Sequence, residues 1–258
     1  MNIHPTAVVD PGAKLGQDVT VGPYAIISRN VVVGDGCQIM AHAHLDGRIT
    51  LGRDCMVYPS ASLGAAPQDV TYAGEDTELI IGDKVIIREF VTANRGTAKG
   101  GGKTTIGDNC YLMAYAHVGH DCHVGRNVIM VNNATLGGHV LVEEEVTLSG
   151  LVGVHQHVRI GAYAFIGGMS RVVQDVPPYM LGHGADNFQL FAPNIVGLRR
   201  KGFDRETINI LREVFHMIFR TDRLLNEALE DVVTQYPNVK EVQRLVEFIR
   251  ASKRGVSR

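Results

Sequence analysis

Nowhere among the 258 residues is there an uninterrupted apolar stretch of the roughly 18 residues needed to cross a bilayer. The opening MNIHPTAVVD also lacks the basic start and apolar core of a secretory signal. A cytoplasmic protein with no membrane span is therefore expected. Cysteine is scarce: there are four, with no CxxC pair, which points to reduced thiols rather than a disulfide framework. A basic stripe across the whole chain is missing as well. The formal net charge is -2, with 13 Lys/Arg against 9 Asp/Glu from Arg199 onward and 12 against 18 before it. That balance excludes general nucleic-acid binding, whereas a basic tail on an acidic body suits docking of a small acidic partner. At 45% hydrophobic and 20% charged residues, the composition is that of an ordinary globular chain, long enough for one large domain or two small ones.

What the chain does have is a repeat. Stepping by six from Ile3 gives Val9, Leu15, Val21, Ile27, Val33, Ile39, Leu45, Leu51, Val57 and Leu63, then Ile81 and Ile87. After a shift the frame resumes at Ile106 and runs through Leu112, Val118, Val124, Met130 and Leu136 to Val172. The fifth position of each hexad is small or β-branched, as at Ala7, Ala13, Val19 and Ala25, and the second is often glycine. Two inward residues per six, on a backbone that tolerates glycine, predict a parallel β-helix of hexapeptide repeats with three short strands per coil. About eight or nine coils at about 4.8 Å each would form a prism roughly 40 Å long. Cys37, Cys55, Cys110 and Cys122 all take the small inward position and are read as inert fillers.

Two stretches break the frame, residues 64–79 and 93–105. In a solenoid such insertions become outer loops, which often carry binding groups. The second contains GGGKTT, but a phosphate-binding loop would need glycine at position 97, which is Thr97, and no long helix follows Lys103. The reading is a flexible cationic loop. The repeat is expected to end at DVPPYMLGHG, where two prolines oppose further sheet pairing. Beyond it, 204–220 has helical spacing with Asp204 as N-cap, and two further helices flank Pro237 and Asn238. The division expected is a β-helix over 1–190 followed by a helical domain over 191–258.

The stretch AYAHVGHDCHVG holds His117, His120 and His123 around Asp121 and Cys122. In the hexad frame none of the three histidines points inward, and they fall on successive faces of the prism, so no zinc site is expected from them. No two of the eleven histidines are five apart, which also removes the His-x4-His pair of the gamma-class carbonic anhydrases. Steps of eighteen bring a position back to the same face one coil along. That stacks His120, then Gly137, Gly138 and His139, then His155, Gln156 and His157. An imidazole beside a free backbone N–H is what acyl transfer needs, one to take a proton and the other to hold the oxyanion. Asp121 is placed to orient the ring if the local backbone lets it reach.

With AYAHVGHDC, NNATLGGHV, VHQ, QDVPPY and GLRRKGF in this order, and a C-terminal helical region, the chain resembles the UDP-N-acetylglucosamine O-acyltransferases of lipid A synthesis over its whole length. The resemblance implies a left-handed coil and a cytoplasmic homotrimer that moves a 3-hydroxyacyl group from acyl carrier protein to the glucosamine 3-hydroxyl. It implies no metal or cofactor, since the thioester already activates the acyl group. His120 matches the family's general base, Asp121 the residue supporting it and Gly138 the oxyanion donor. His117, His139, His155 and Gln156 match polar residues around the substrates, and Gln68 and Asp69 match the loop that meets the sugar. Asn194 and Arg200 fall where the family binds acyl chain or nucleotide from an adjacent subunit, and Gly168 where small residues lengthen the acyl groove. Arg199, Arg200, Lys201, Arg205 and Arg212 are candidates for docking the acidic carrier.

Two positions depart from the family's usual pattern: Thr71 stands in place of a lysine, and Val196 in place of an acidic residue. Both lie near substrate contacts, so a 3-amino sugar nucleotide is the alternative acceptor. The sister N-acyltransferase normally carries an extra N-terminal domain, whereas the hexads here begin at residue 3. A catalytically silent hexapeptide scaffold would leave the stack of His120, Asp121 and Gly138 without a use. Outward Met40, Met113, Tyr115 and Leu151 suggest faces buried against neighbouring copies.

Overall fold

A computed structural model describes all 258 residues. Three sheets of eleven, nine and eight strands, parallel throughout except for the last strand of the largest, form the sides of a prism. Within the coils, strands two to four residues long follow one another around it, so each pairs with the strand one coil along. His117 lies opposite Thr135 and His123 opposite Leu141, both offset by eighteen residues. The hexad reading is thereby explained. From Val19 onward the first and fifth positions, such as Val118 and Cys122, are buried because alternate side chains of extended chain face opposite sides of the sheet.

The fourth hexad position turns most corners in the left-handed backbone region, at Asp121, His139, His157 and many equivalents. Most of these residues are not glycine. Such a conformation costs of order 1 kcal/mol per side chain and is sustained by the ladder on either side. Tyr115 and Leu151 have positive φ at corners of this kind, so they line an edge of the prism and not, as expected, a strand face. The cysteines fill the core as read, each with a weak donor bond besides: the Cys122 thiol donates to the Gly137 carbonyl at 3.0 Å. Burial pushes the Cys110 thiol up to about 11 and the Cys122 thiol up to about 12.

The sheet does not stop at the prolines. Met180–His183 pairs in parallel with Phe165–Ile166, then antiparallel with Gln189–Pro193. Pro177 and Pro178 precede the strand, where their missing N–H groups remove no ladder bond. Four helices follow: α1 (Ile195–Arg200), α2 (Arg205–Phe219), α3 (Leu225–Gln235) and α4 (Lys240–Arg250). α1 was not expected from the sequence. Val214, Phe215, Leu245 and Val246 join the same buried cluster as the prism interior, so the helices share its core. Each large aliphatic side chain buried this way contributes about 1.5–3 kcal/mol.

Candidate active site

His120 and Asp121 occupy the corner between the strands His117–Val118 and His123–Val124. The left-handed backbone of Asp121 (φ 58°) lets its carboxylate turn back on the neighbouring ring, and the His120 Nδ1 hydrogen donates to Asp121 Oδ2 at 2.8 Å. Asp121 is 3% exposed, and a buried carboxylate is tolerated only with partners. Those come from the second insertion. The Thr97 N–H donates to Oδ1 at 2.8 Å and the Thr97 hydroxyl to Oδ2 at 2.7 Å, while the Asp121 N–H donates to Thr104 Oγ1 at 2.8 Å. The loop read as flexible and cationic is therefore a clamp on the carboxylate. A one-turn 3-10 helix, Ala98–Gly100, follows Thr97 and presses against it so closely that a Cβ on Gly100 would lie 2.0 Å from Asp121 Cγ.

With Nδ1 committed to an acceptor-only carboxylate, the neutral His120 ring keeps its lone pair on Nε2. That edge faces Gly138, where a Cβ would lie 2.6 Å from Nε2. The Gly138 N–H donates to no protein acceptor, whereas its carbonyl accepts from the His157 N–H. The His139 ring meets His120 edge-on at 5.1 Å and stacks on His157 at 4.5 Å. Burial holds His139 below its ordinary histidine value, with Asp121 pulling the other way. His117 shares a hydrogen bond of 2.7 Å with the Thr92 hydroxyl, and burial, then the charge of His120, lowers it too. His123 sits on a different sheet beside Thr105, so the three histidines of the motif do not converge.

Donor atoms of His120, Asp121 and His139 do lie within 4.8 Å of one another. The two Asp121 oxygens already accept three hydrogen bonds and His120 Nδ1 is spent on one of them, so this trio is a filled hydrogen-bond network and a poor metal cage.

The first insertion approaches the same corner. Asp69 Oδ1 accepts both the N–H and the hydroxyl of Thr71 at 2.8 Å. These bonds hold the Asp69 carboxyl below its usual range, with smaller help from the charges of Lys99 and His120. Gln68 beside it is exposed. Further along the same edge, His155 and Gln156 are exposed, and His155 Nδ1 lies 3.3 Å from an Arg254 guanidinium nitrogen. Gly168 is exposed at a corner between the eleven- and nine-stranded sheets, where a Cβ would meet the Gly150 carbonyl at 3.3 Å.

Asn194 and Arg200 are elsewhere. Asn194 caps α1, its Oδ1 accepting from the Gly197 N–H at 3.1 Å while Nδ2 donates to the Tyr163 carbonyl at 2.9 Å. With Arg200, Val196 and Lys201 it lines a groove of about 460 Å³ floored by Ile129, Thr147, Phe165 and Leu181, all on the eleven-stranded sheet. One chain thus carries the His120 corner and this groove on different faces.

Thr97, Thr104 and Gly100 escaped the sequence reading. Their only signal was the insertion itself, because nothing in a one-dimensional pattern couples Thr97 to a carboxylate 24 residues later.

Family models match residues 103–138 as bacterial transferase hexapeptide repeats and 175–257 as domain 2 of UDP-N-acetylglucosamine O-acyltransferase. The chain is 45% identical to the acyl-[acyl-carrier-protein]–UDP-N-acetylglucosamine O-acyltransferase of Thermodesulfovibrio yellowstonii, covering 99% of both chains. It is 46% identical to that of Halorhodospira halophila, again over 99% of each. The crystal structure of LpxA, a UDP-N-acetylglucosamine acyltransferase from Bacteroides fragilis, superposes with a TM-score of 0.96 at 38% identity, covering 99% of both. A coil of the opposite hand could not superpose in this way, so the prism winds left-handed. On the identity and full coverage of these relatives, the chain belongs to the UDP-N-acetylglucosamine O-acyltransferase family.

Proposed function

We propose that this protein transfers a 3-hydroxyacyl group from acyl carrier protein to the 3-hydroxyl of UDP-N-acetylglucosamine, the first step of lipid A synthesis. The observation that carries the mechanism is the His120–Asp121 pair at 2.8 Å, set beside a glycine N–H that has no protein acceptor. His120 Nε2 takes the proton of the sugar hydroxyl as its oxygen attacks the thioester carbonyl. The Gly138 N–H donates to the oxyanion of the tetrahedral intermediate. Collapse breaks the C–S bond, and the leaving thiolate receives the proton from His120. Asp121 keeps the ring in the tautomer that leaves Nε2 free and stabilises the imidazolium formed in between.

Gln68, Asp69, His117, His139, His155 and Gln156 line the path of the substrates on this edge. A homotrimer brings the groove of Asn194 and Arg200 on one protomer to the His120 corner of the next, and Gly168 leaves room for the acyl chain. The exposed Arg199, Arg200 and Arg205 dock the acidic carrier from a helical C-terminal domain that we take to begin near residue 191. The reaction takes place in the cytoplasm, in keeping with the absence of any helix long and apolar enough to cross a membrane.

The test is to mix the protein with 3-hydroxyacyl carrier proteins of several lengths and either UDP-N-acetylglucosamine or its 3-amino analogue, then identify products by mass. Product with the 3-hydroxyl sugar is expected, and His120→Ala should lower kcat by about 10²- to 10⁴-fold with the melting transition preserved. Full activity in that variant would overturn the mechanism, and product with the amino sugar alone would overturn the acceptor.

A further inference from the structure

Lys99 stands between the two insertions. It lies in the 3-10 turn that follows Thr97, and the Thr97 hydroxyl both accepts the Gly100 N–H at 3.1 Å and donates to Asp121. The backbone of Lys99 is thereby tied to the carboxylate that orients His120. Its ammonium reaches across to donate to the Thr71 hydroxyl, which donates in turn to Asp69 Oδ1 at 2.8 Å. A continuous chain of hydrogen bonds and backbone therefore runs from Asp69 through Thr71, Lys99 and Thr97 to Asp121 and His120.

Lys103 in the same insertion pairs with Glu78, whereas Lys99, like Lys14, Lys84 and Lys253, forms no ion pair with a carboxylate. It is exposed, and an ammonium with one hydrogen bond has two N–H donors left. Position 71 is where the resemblance leads one to expect a lysine, and the side chain arriving there from the other loop is a lysine.

We propose that Lys99 binds the sugar nucleotide, its ammonium engaging the diphosphate while its bond to Thr71 holds the Asp69 loop in place. The inference rests on the acyltransferase reading above. It makes the second insertion a substrate-binding element and supplies from position 99 the cation that position 71 lacks. The diphosphate is the anionic part of this substrate, and a charge-assisted hydrogen bond to it is among the stronger single contacts available.

Steady-state kinetics on Lys99→Gln tests it. The KM for UDP-N-acetylglucosamine should rise about tenfold while kcat stays within about threefold, the signature of a lost binding contact. The KM for the acyl carrier protein should not move. Lys99→Arg should retain most of the affinity, and Thr71→Lys combined with Lys99→Gln should recover it by moving the cation to the other loop. Calorimetric binding of UDP-N-acetylglucosamine to the wild type and to Lys99→Gln reads the same contact without turnover, so a failure of acyl transfer is told apart from a failure of this assignment. An unchanged affinity in Lys99→Gln, or a fall in kcat alone, would overturn it.

Discussion

At the scale of single residues, the site is held together by one buried carboxylate. Asp121 beside His120 is legible in the sequence because adjacent residues need only the right φ to meet. The partners that hold Asp121 in place are not legible, since Thr97 and Thr104 lie 24 and 17 residues away. Gly100 exposes this dependence. A methyl group there would overlap Asp121, so Gly100→Ala must push the carboxylate or the Thr97 turn aside. Misplacing a catalytic constellation by about 1 Å costs on the order of 10²-fold, and a loss of that size in kcat is expected with circular dichroism unchanged. Near-normal turnover would show that Asp121 does not need this position.

At the scale of elements, the hexad period was readable because each hexad from Val19 onward buries the same two positions. The corner conformation was not, since the fourth position accepts Tyr115, Asp121, His139 or Leu151 alike and so leaves no compositional mark. α2 is the opposite case, with its start readable to the residue. Asp204 Oδ1 accepts from the Thr207 N–H at 2.7 Å and Oδ2 accepts the Thr207 hydroxyl at 3.0 Å. Asp204→Ala should cost about 1 kcal/mol and lower Tm by about 2–4 °C. A thermal melt checks this, and no shift would mean that packing of α2 against the prism makes the cap redundant. α1 went unread because six residues are too few to display a helical period, and the strand Met180–His183 because prolines immediately before it read as a stop.

At the scale of the whole molecule, His120 and the Asn194–Arg200 groove belong to different faces of one prism, and closed threefold symmetry brings such faces together. Sedimentation should give three times 28.1 kDa. His120→Ala and Arg200→Ala proteins, each impaired alone, should regain activity when unfolded and reassembled together, because a mixed trimer contains sites that carry neither change. A monomer in sedimentation, or no recovery on mixing, would place the whole site within one chain. The apolar edge where Phe90 stacks on Tyr115 at 4.9 Å, and where Leu151 and Met169 are 58% and 67% exposed, is the surface such an assembly would cover. The sequence by itself determined the coil, its inward residues and the stacking of His120 over Gly138, because a period of six residues turns position in the chain into position on the prism. Only the tertiary structure decided what the insertions do. They lie outside the period, and the hydrogen bonds joining Lys99 to Thr71 and Thr97 to Asp121 form only once the coils beneath them have brought those loops to one corner.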